Sequence, residues 1–138
     1  MSSASPCFRE LDHTADLAVE VWGADFAGLL ANAAEAVFVL EGLPAEMGDP
    51  ARREVGITAL DREALLVDWL NEILYLSEMQ GELYTSFEVT LASDTEMSAI
   101  VSGWRGRPTK RWIKAATFYD LRIVDSPGCS TARIVFDV

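Results

Sequence analysis

Two groups of residues in this 138-residue chain have the types and spacing to do chemistry. The first is Asp12-His13-Thr14-Ala15-Asp16, which sets two carboxylates, a hydroxyl and the only histidine of the protein side by side. The second is Arg105, Arg107, Lys110, Arg111 and Lys114, which supply five of the eleven basic residues in a window without an acid. Carboxylates suit hard divalent cations, which take oxygen ligands. If the closing segment Phe136-Asp137-Val138 docked beside Asp16, its α-carboxylate would bring a third negative group, and a cation would relieve the repulsion. The same residues also read as a capped turn, with His13 and Thr14 bonded locally, followed by an ordinary terminal strand. The basic window reads as a solvated loop with Trp104 and Trp112 packed inward, or as a surface that docks a charged partner.

Several other chemistries find no support. There is no phosphate-binding GxxxxGK[ST], no GxGxxG and no GxSxG. A catalytic triad would rest on His13 alone, without a serine or cysteine at an evident nucleophile elbow. Zinc sites draw on several Cys and His side chains, and here Cys7, His13 and Cys129 are scattered along the chain. The cysteines are expected to be two buried thiols of a cytoplasmic protein rather than a disulfide. A net charge of −11 opposes general affinity for nucleic acid. It is unevenly spread, because outside the basic window six cations face 22 acids. No apolar run approaches the ~20 residues that a bilayer crossing requires.

The elements that must position these groups follow from periodicity. Leu17, Val19 and Val21 alternate with polar Glu20 and predict a strand that ends at Gly23. Asp25 is placed to cap a helix carrying Phe26, Leu29, Leu30, Ala33, Val37 and Leu40, with Gly42 and Pro44 as its stop. Residues 44–51 read as a loop, and 54–59 as a strand. Asp61 caps a longer helix, with Leu66, Trp69, Leu70 and Ile73 on one face, Asp68, Asn71 and Glu72 on the polar side, and Gly81 at its end. Strands are then expected at 87–91, 97–101, 113–119, 121–124 and 132–138. Residues 1–6 read as a frayed tail. The expected class is α+β: a single domain over 1–138, with two main helices packed on a largely antiparallel or mixed sheet.

The order of these blocks resembles the archease family. The resemblance is carried by Phe8 with Leu11–Asp16, the pair Trp22-Gly23, the helix from Asp61 to Tyr75 (DREALLVDWLNEILY), the strand from Lys114 to Leu121 (KAATFYDL), and the closing Phe136-Asp137-Val138. It covers essentially the whole length. Arg111 and Trp112 stand where members often carry acids, Phe118 where tyrosine is common and Tyr119 where histidine is common. The resemblance implies a cytoplasmic accessory protein, not an enzyme, that assists an RNA ligase joining a 3′-phosphate or 2′,3′-cyclic phosphate end to a 5′-hydroxyl end. It would promote guanylylation of the ligase and its multiple turnover in tRNA splicing or RNA repair, meeting tRNA or broken RNA only indirectly. The implied metal ligands are Asp16, Asp137 and Val138, around Ca2+ or alternatively Mg2+ or Mn2+. Asp12, His13 and Thr14 would brace the turn; partner docking by the basic window rests on its charge alone, because Arg111 and Trp112 depart from the family pattern there. The competing readings are a metal-dependent phosphoesterase using Asp16 and His13, and a non-catalytic acidic scaffold.

Overall fold

The computed structural model describes residues 6–11 and 16–138. Most of the expected tail, and Asp12, His13 and Thr14, lie outside the described residues. The elements run β1 (Phe8–Leu11), β2 (Leu17–Gly23), α1 (Phe26–Glu41), β3 (Pro50–Thr58), α2 (Arg62–Gln80), β4 (Glu82–Ser93), β5 (Glu96–Arg105), β6 (Ala115–Ser126) and β7 (Cys129–Asp137). This is the α+β arrangement expected, and every strand pairing is antiparallel, so the mixed option is not taken. The strands divide between two sheets, a four-stranded one in the order β1-β2-β7-β6 and a three-stranded one in the order β3-β5-β4.

Both helices begin where the side-chain chemistry requires. Asp25 accepts a hydrogen bond from the Gly28 N–H at 2.7 Å, and Asp61 accepts one from the Ala64 N–H at 2.8 Å, each satisfying an otherwise free donor of a first turn. Helix α2 ends at Gly81, in the left-handed conformation open to glycine. Leu29, Leu30, Ala33 and Val37 of α1 and Leu66, Trp69, Leu70 and Ile73 of α2 are buried in one core. The Trp69 indole N–H donates to the Leu30 carbonyl at 2.9 Å, tying the helices together, while Phe87 stacks against Phe38 and meets Trp69 edge-on.

The buried polar groups locate the tension points of the fold. Glu82 receives two hydrogen bonds from the Arg53 guanidinium, at 2.7 and 3.1 Å, and one from the Tyr84 hydroxyl at 2.8 Å. Its carboxyl is held below the ordinary range, chiefly by the Arg53 hydrogen bonds. Asn71, expected on the polar side of α2, instead turns its amide to β6. It donates to the Ala116 carbonyl and accepts from the Ala116 N–H, at 3.2 and 2.7 Å, and so covers a stretch of exposed sheet edge.

Three boundaries differ from expectation. β1 forms where no strand was read, paired with the next strand β2, and β3 begins at Pro50, inside the presumed loop, where it gains its hydrogen bonds from the distant β5. The two strands expected at 113–119 and 121–124 are one strand, interrupted between Thr117 and Arg122, where Asp120 takes a φ of 55°. Among the described residues no helix is long and apolar enough to cross a membrane.

Candidate functional site

The two ends of the described core meet. β2 and β7 pair from Gly23↔Ser130 to Leu17↔Phe136, and one step further along this ladder come Asp16 on one side and Asp137 on the other. Adjacent strands lie about 4.8 Å apart, so the register continued past its last pair would set these two residues side by side. Both are exposed, as is Val138. Phe136, Val135 and Ile134 are fully buried just before Asp137, so Asp137 stands at the exposed end of a buried strand.

The basic window arrives at the same place. The Lys114 N–H donates to the Asp137 carbonyl at 2.8 Å, and Ala115 then pairs with Asp137 to open β6. The end of the basic window is thereby tied to the end of β7. The other basic residues spread from it. Arg105 is the last residue of β5, paired through its backbone with Gly48 and Asp49. Arg107, Lys110 and Arg111 are exposed, with Arg111 3.9 Å from Glu10 of β1. Trp104 is half-buried, but Trp112, expected inside, is 49% exposed. It is Ile113, its neighbour, that points into the core, and Trp112 is left lining a cavity of about 310 Å3 with Glu78, Ile113 and Lys114.

The window is held by the end of α1. The Lys110 and Arg111 N–H groups donate to the Glu41 carbonyl at 2.9 and 3.2 Å, and the Thr109 N–H donates to the Gly42 carbonyl at 3.2 Å. These bonds satisfy carbonyls that a helix end leaves without partners and place cations at its negative pole. Gly42 has a φ of 89°, and a side chain there would strike Thr109 and Lys110. Beneath the window lies Glu41, 1% exposed, whose Oε2 accepts the Ile113 N–H at 2.9 Å while Oε1 has no hydrogen-bond partner. Burial pushes its carboxyl up to about 7, against the smaller opposing effect of the Ile113 N–H. Glu41 went unnoticed in the sequence. The available signal was an acid in the last turn of a helix, where the macrodipole disfavours it.

Among the described residues no three His, Cys, Asp or Glu side chains gather closely enough to hold a metal. Asp16 and Asp137 reach three donors only with the carboxylate of Val138. That set is all hard oxygen and lies open to water, which fits a cation such as Ca2+ and does not fit zinc. Cys7 and Cys129 are free and half-buried, not fully buried, and lie apart from it.

The chain is similar in sequence and fold to known proteins. Residues 8–138 match the model of the Archease protein family. Protein archease of Methanosarcina mazei is 32% identical over the full length of both chains, and that of Methanothermobacter thermautotrophicus is 29% identical over 95% of this chain and 98% of its own. The solution structure of Methanobacterium thermoautotrophicum protein 1598 superposes with a TM-score of 0.71 at 26% identity, covering 97% of this chain and all of that one. The crystal structure of an archease from Thermotoga maritima, called a possible chaperone, shares the fold with a TM-score of 0.67 at 22% identity, over all of this chain and 99% of that one. With a family match across nearly the whole sequence and the α+β fold in common, the chain belongs to the archease family.

Proposed function

We propose that this protein is a non-catalytic accessory factor of an RNA ligase, acting in the cytoplasm in tRNA splicing or RNA repair. In this reading Asp16, Asp137 and the carboxylate of Val138 hold a divalent cation, and Arg107, Lys110, Arg111 and Lys114 meet the ligase. The observation that carries the proposal is the bond from the Lys114 N–H to the Asp137 carbonyl, which supports reading the carboxylates and the basic window as neighbours. Such a surface offers a partner positioned charge of both signs. Guanylylation needs positioned charge and metal more than a new nucleophile. When bound, the cation supplies a fixed positive charge that neutralises the clustered carboxylates. The chain itself fixes the carboxylates on buried strands and presents the window through the carbonyls of Glu41 and Gly42. The chaperone role named for the Thermotoga maritima archease agrees with a factor that acts on another protein.

The test is ligation by the host's own RNA ligase with this protein at a molar ratio of about one to ten. Ligated RNA is expected to exceed one turnover per ligase, and Lys110→Glu with Arg107→Glu is expected to remove most of the gain while the protein stays folded. No change in guanylylation or turnover on adding the wild-type protein would contradict the proposal. Hydrolysis of a phosphoester by the protein alone, abolished by Asp16→Asn, would favour the phosphoesterase reading instead.

A further inference from the structure

The three-stranded sheet buries one face and leaves the other open. Along β5, Met97, Ala99 and Val101 enter the core, while Ser98, Ile100, Ser102 and Trp104 line the open side. Glu54 of β3 and Glu88 of β4 stand directly opposite Ile100 on its two flanks. Strand spacing sets their backbones about 10 Å apart with the isoleucine between them. Neither carboxylate has an ion-pair or hydrogen-bond partner among the described residues. With Gly56, Thr90 and Ser98 they line a hollow of about 460 Å3, and a second hollow of about 480 Å3 continues along the same face past Arg52, Ser102 and Trp104. Arg52 is the one cation that strand alternation places on this face, against Glu54, Glu88 and Glu96.

Gly56 supplies an independent argument. A glycine inside a strand weakens it and marks a bulge, a bend, or the close approach of something else. No bulge is present, because the β3–β5 register runs unbroken from Pro50↔Trp104 to Thr58↔Glu96. Its φ is not positive, and a side chain at Gly56 would meet no atom within 4 Å. Gly103 of the same sheet is the contrast, since a side chain there would strike the Leu83 carbonyl and the Tyr84 backbone. The fold demands Gly103 and does not demand Gly56. Gly56 therefore leaves an open floor on the sheet beside two acids that have no ion-pair partner among the described residues.

We infer that the open face of the β3-β5-β4 sheet docks an extended, arginine- or lysine-bearing segment of a protein partner. Its cationic head sits between Glu54 and Glu88, and its aliphatic stem lies on Ile100 over the Gly56 floor. Long basic side chains suit such a surface because the stem covers apolar area while the head stays with the carboxylates. The chemistry differs from that of the chain ends, where the oxygens face a metal ion.

The experiment is fluorescence anisotropy with a labelled eight-residue peptide alternating arginine and valine, its ends blocked. Glu54→Gln with Glu88→Gln is expected to weaken binding about tenfold, equivalent to roughly 1.4 kcal/mol. Asp68→Asn with Glu72→Gln removes the same charge from α2 and is expected to change affinity less than about twofold. Gly56→Val fills the floor without a clash, so it is expected to weaken the peptide about tenfold while leaving the melting temperature equal or higher. Equal weakening by the α2 pair would mean that the peptide reads only net charge, and would overturn the proposal. So would unchanged binding in both sheet variants. Self-association of the wild type that Gly56→Val abolishes would make the occupant a second copy, and would overturn it too.

Discussion

Two glutamates are almost fully buried in this protein, and they are treated in opposite ways. Glu82 is enclosed by donors: the guanidinium of Arg53 and the hydroxyl of Tyr84 supply three hydrogen bonds, and its carboxyl titrates below the ordinary range. Glu41 is left with a single backbone N–H and one oxygen without a partner, and titrates near 7. Their places explain the difference. Glu82 joins the outer strands of the three-stranded sheet to the end of α2. Glu41 lies under the basic window beside the candidate site, where one weakly held carboxylate fixes the path of Lys110–Ile113. A buried charge that is fully paired acts as scaffold, whereas one that is half-paired makes its surroundings responsive to pH.

Removing the scaffold carboxylate should have the larger effect. Glu82→Ala deletes charge-assisted bonds and leaves the buried Tyr84 hydroxyl without its acceptor, so a loss of about 3 kcal/mol is expected in urea unfolding at pH 7. For a chain of this size that corresponds to a melting point lower by about 10 °C. A loss below about 1 kcal/mol would show that Arg53 and Tyr84 find replacements, and the contrast with Glu41 would fail.

The second glutamate should respond through pH. The folded pKa of Glu41 lies above its unfolded value of 4.5, so its favourable contribution is complete below 4.5, declines as pH rises and is gone above about 7. Glu82 and Asp125, both lowered, act in the opposite sense, but their contribution is already complete above about pH 5. Between pH 5 and 8 the Glu41 effect should therefore dominate. Glu41→Gln keeps an acceptor for the Ile113 N–H and removes the charge. It is expected to flatten the decline and to stabilise the protein by about 2 kcal/mol at pH 8, with little change at pH 5. Unfolding curves at the two pH values check this, and a parallel decline in the variant would assign the pH dependence elsewhere.

How much of this was legible in the sequence depends on the range of each interaction. The caps Asp25 and Asp61 act within three residues, and both helices lie where those residues put them. The division of the strands into two sheets is decided by partners far along the chain, which periodicity does not report. The same holds for Glu41, whose contact Ile113 is 72 residues away, and for Asn71, which reads as a polar surface residue until Ala116 lies beside it. Trp112 was misjudged because a loop tryptophan carries no pattern, and the core position went to Ile113. The β2–β7 pairing that carries Asp16 toward Asp137 is likewise a long-range pairing, and both strands were legible as strands while their partnership was not. The loop that would brace them, Asp12 to Thr14, lies outside the described residues.

In the proposed reading, Asp16, Asp137 and the carboxylate of Val138 share one divalent ion. Calorimetric titration of CaCl2 into the full chain tests this most directly, with Asp16→Ala and a variant extended by two glycines past Val138 in parallel. One ion per chain should bind to the wild type, and each change should weaken it at least about tenfold, a cost of roughly 1.4 kcal/mol or more. Equal affinity in all three proteins, or no binding to the wild type by Ca2+, Mg2+ or Mn2+, would contradict it.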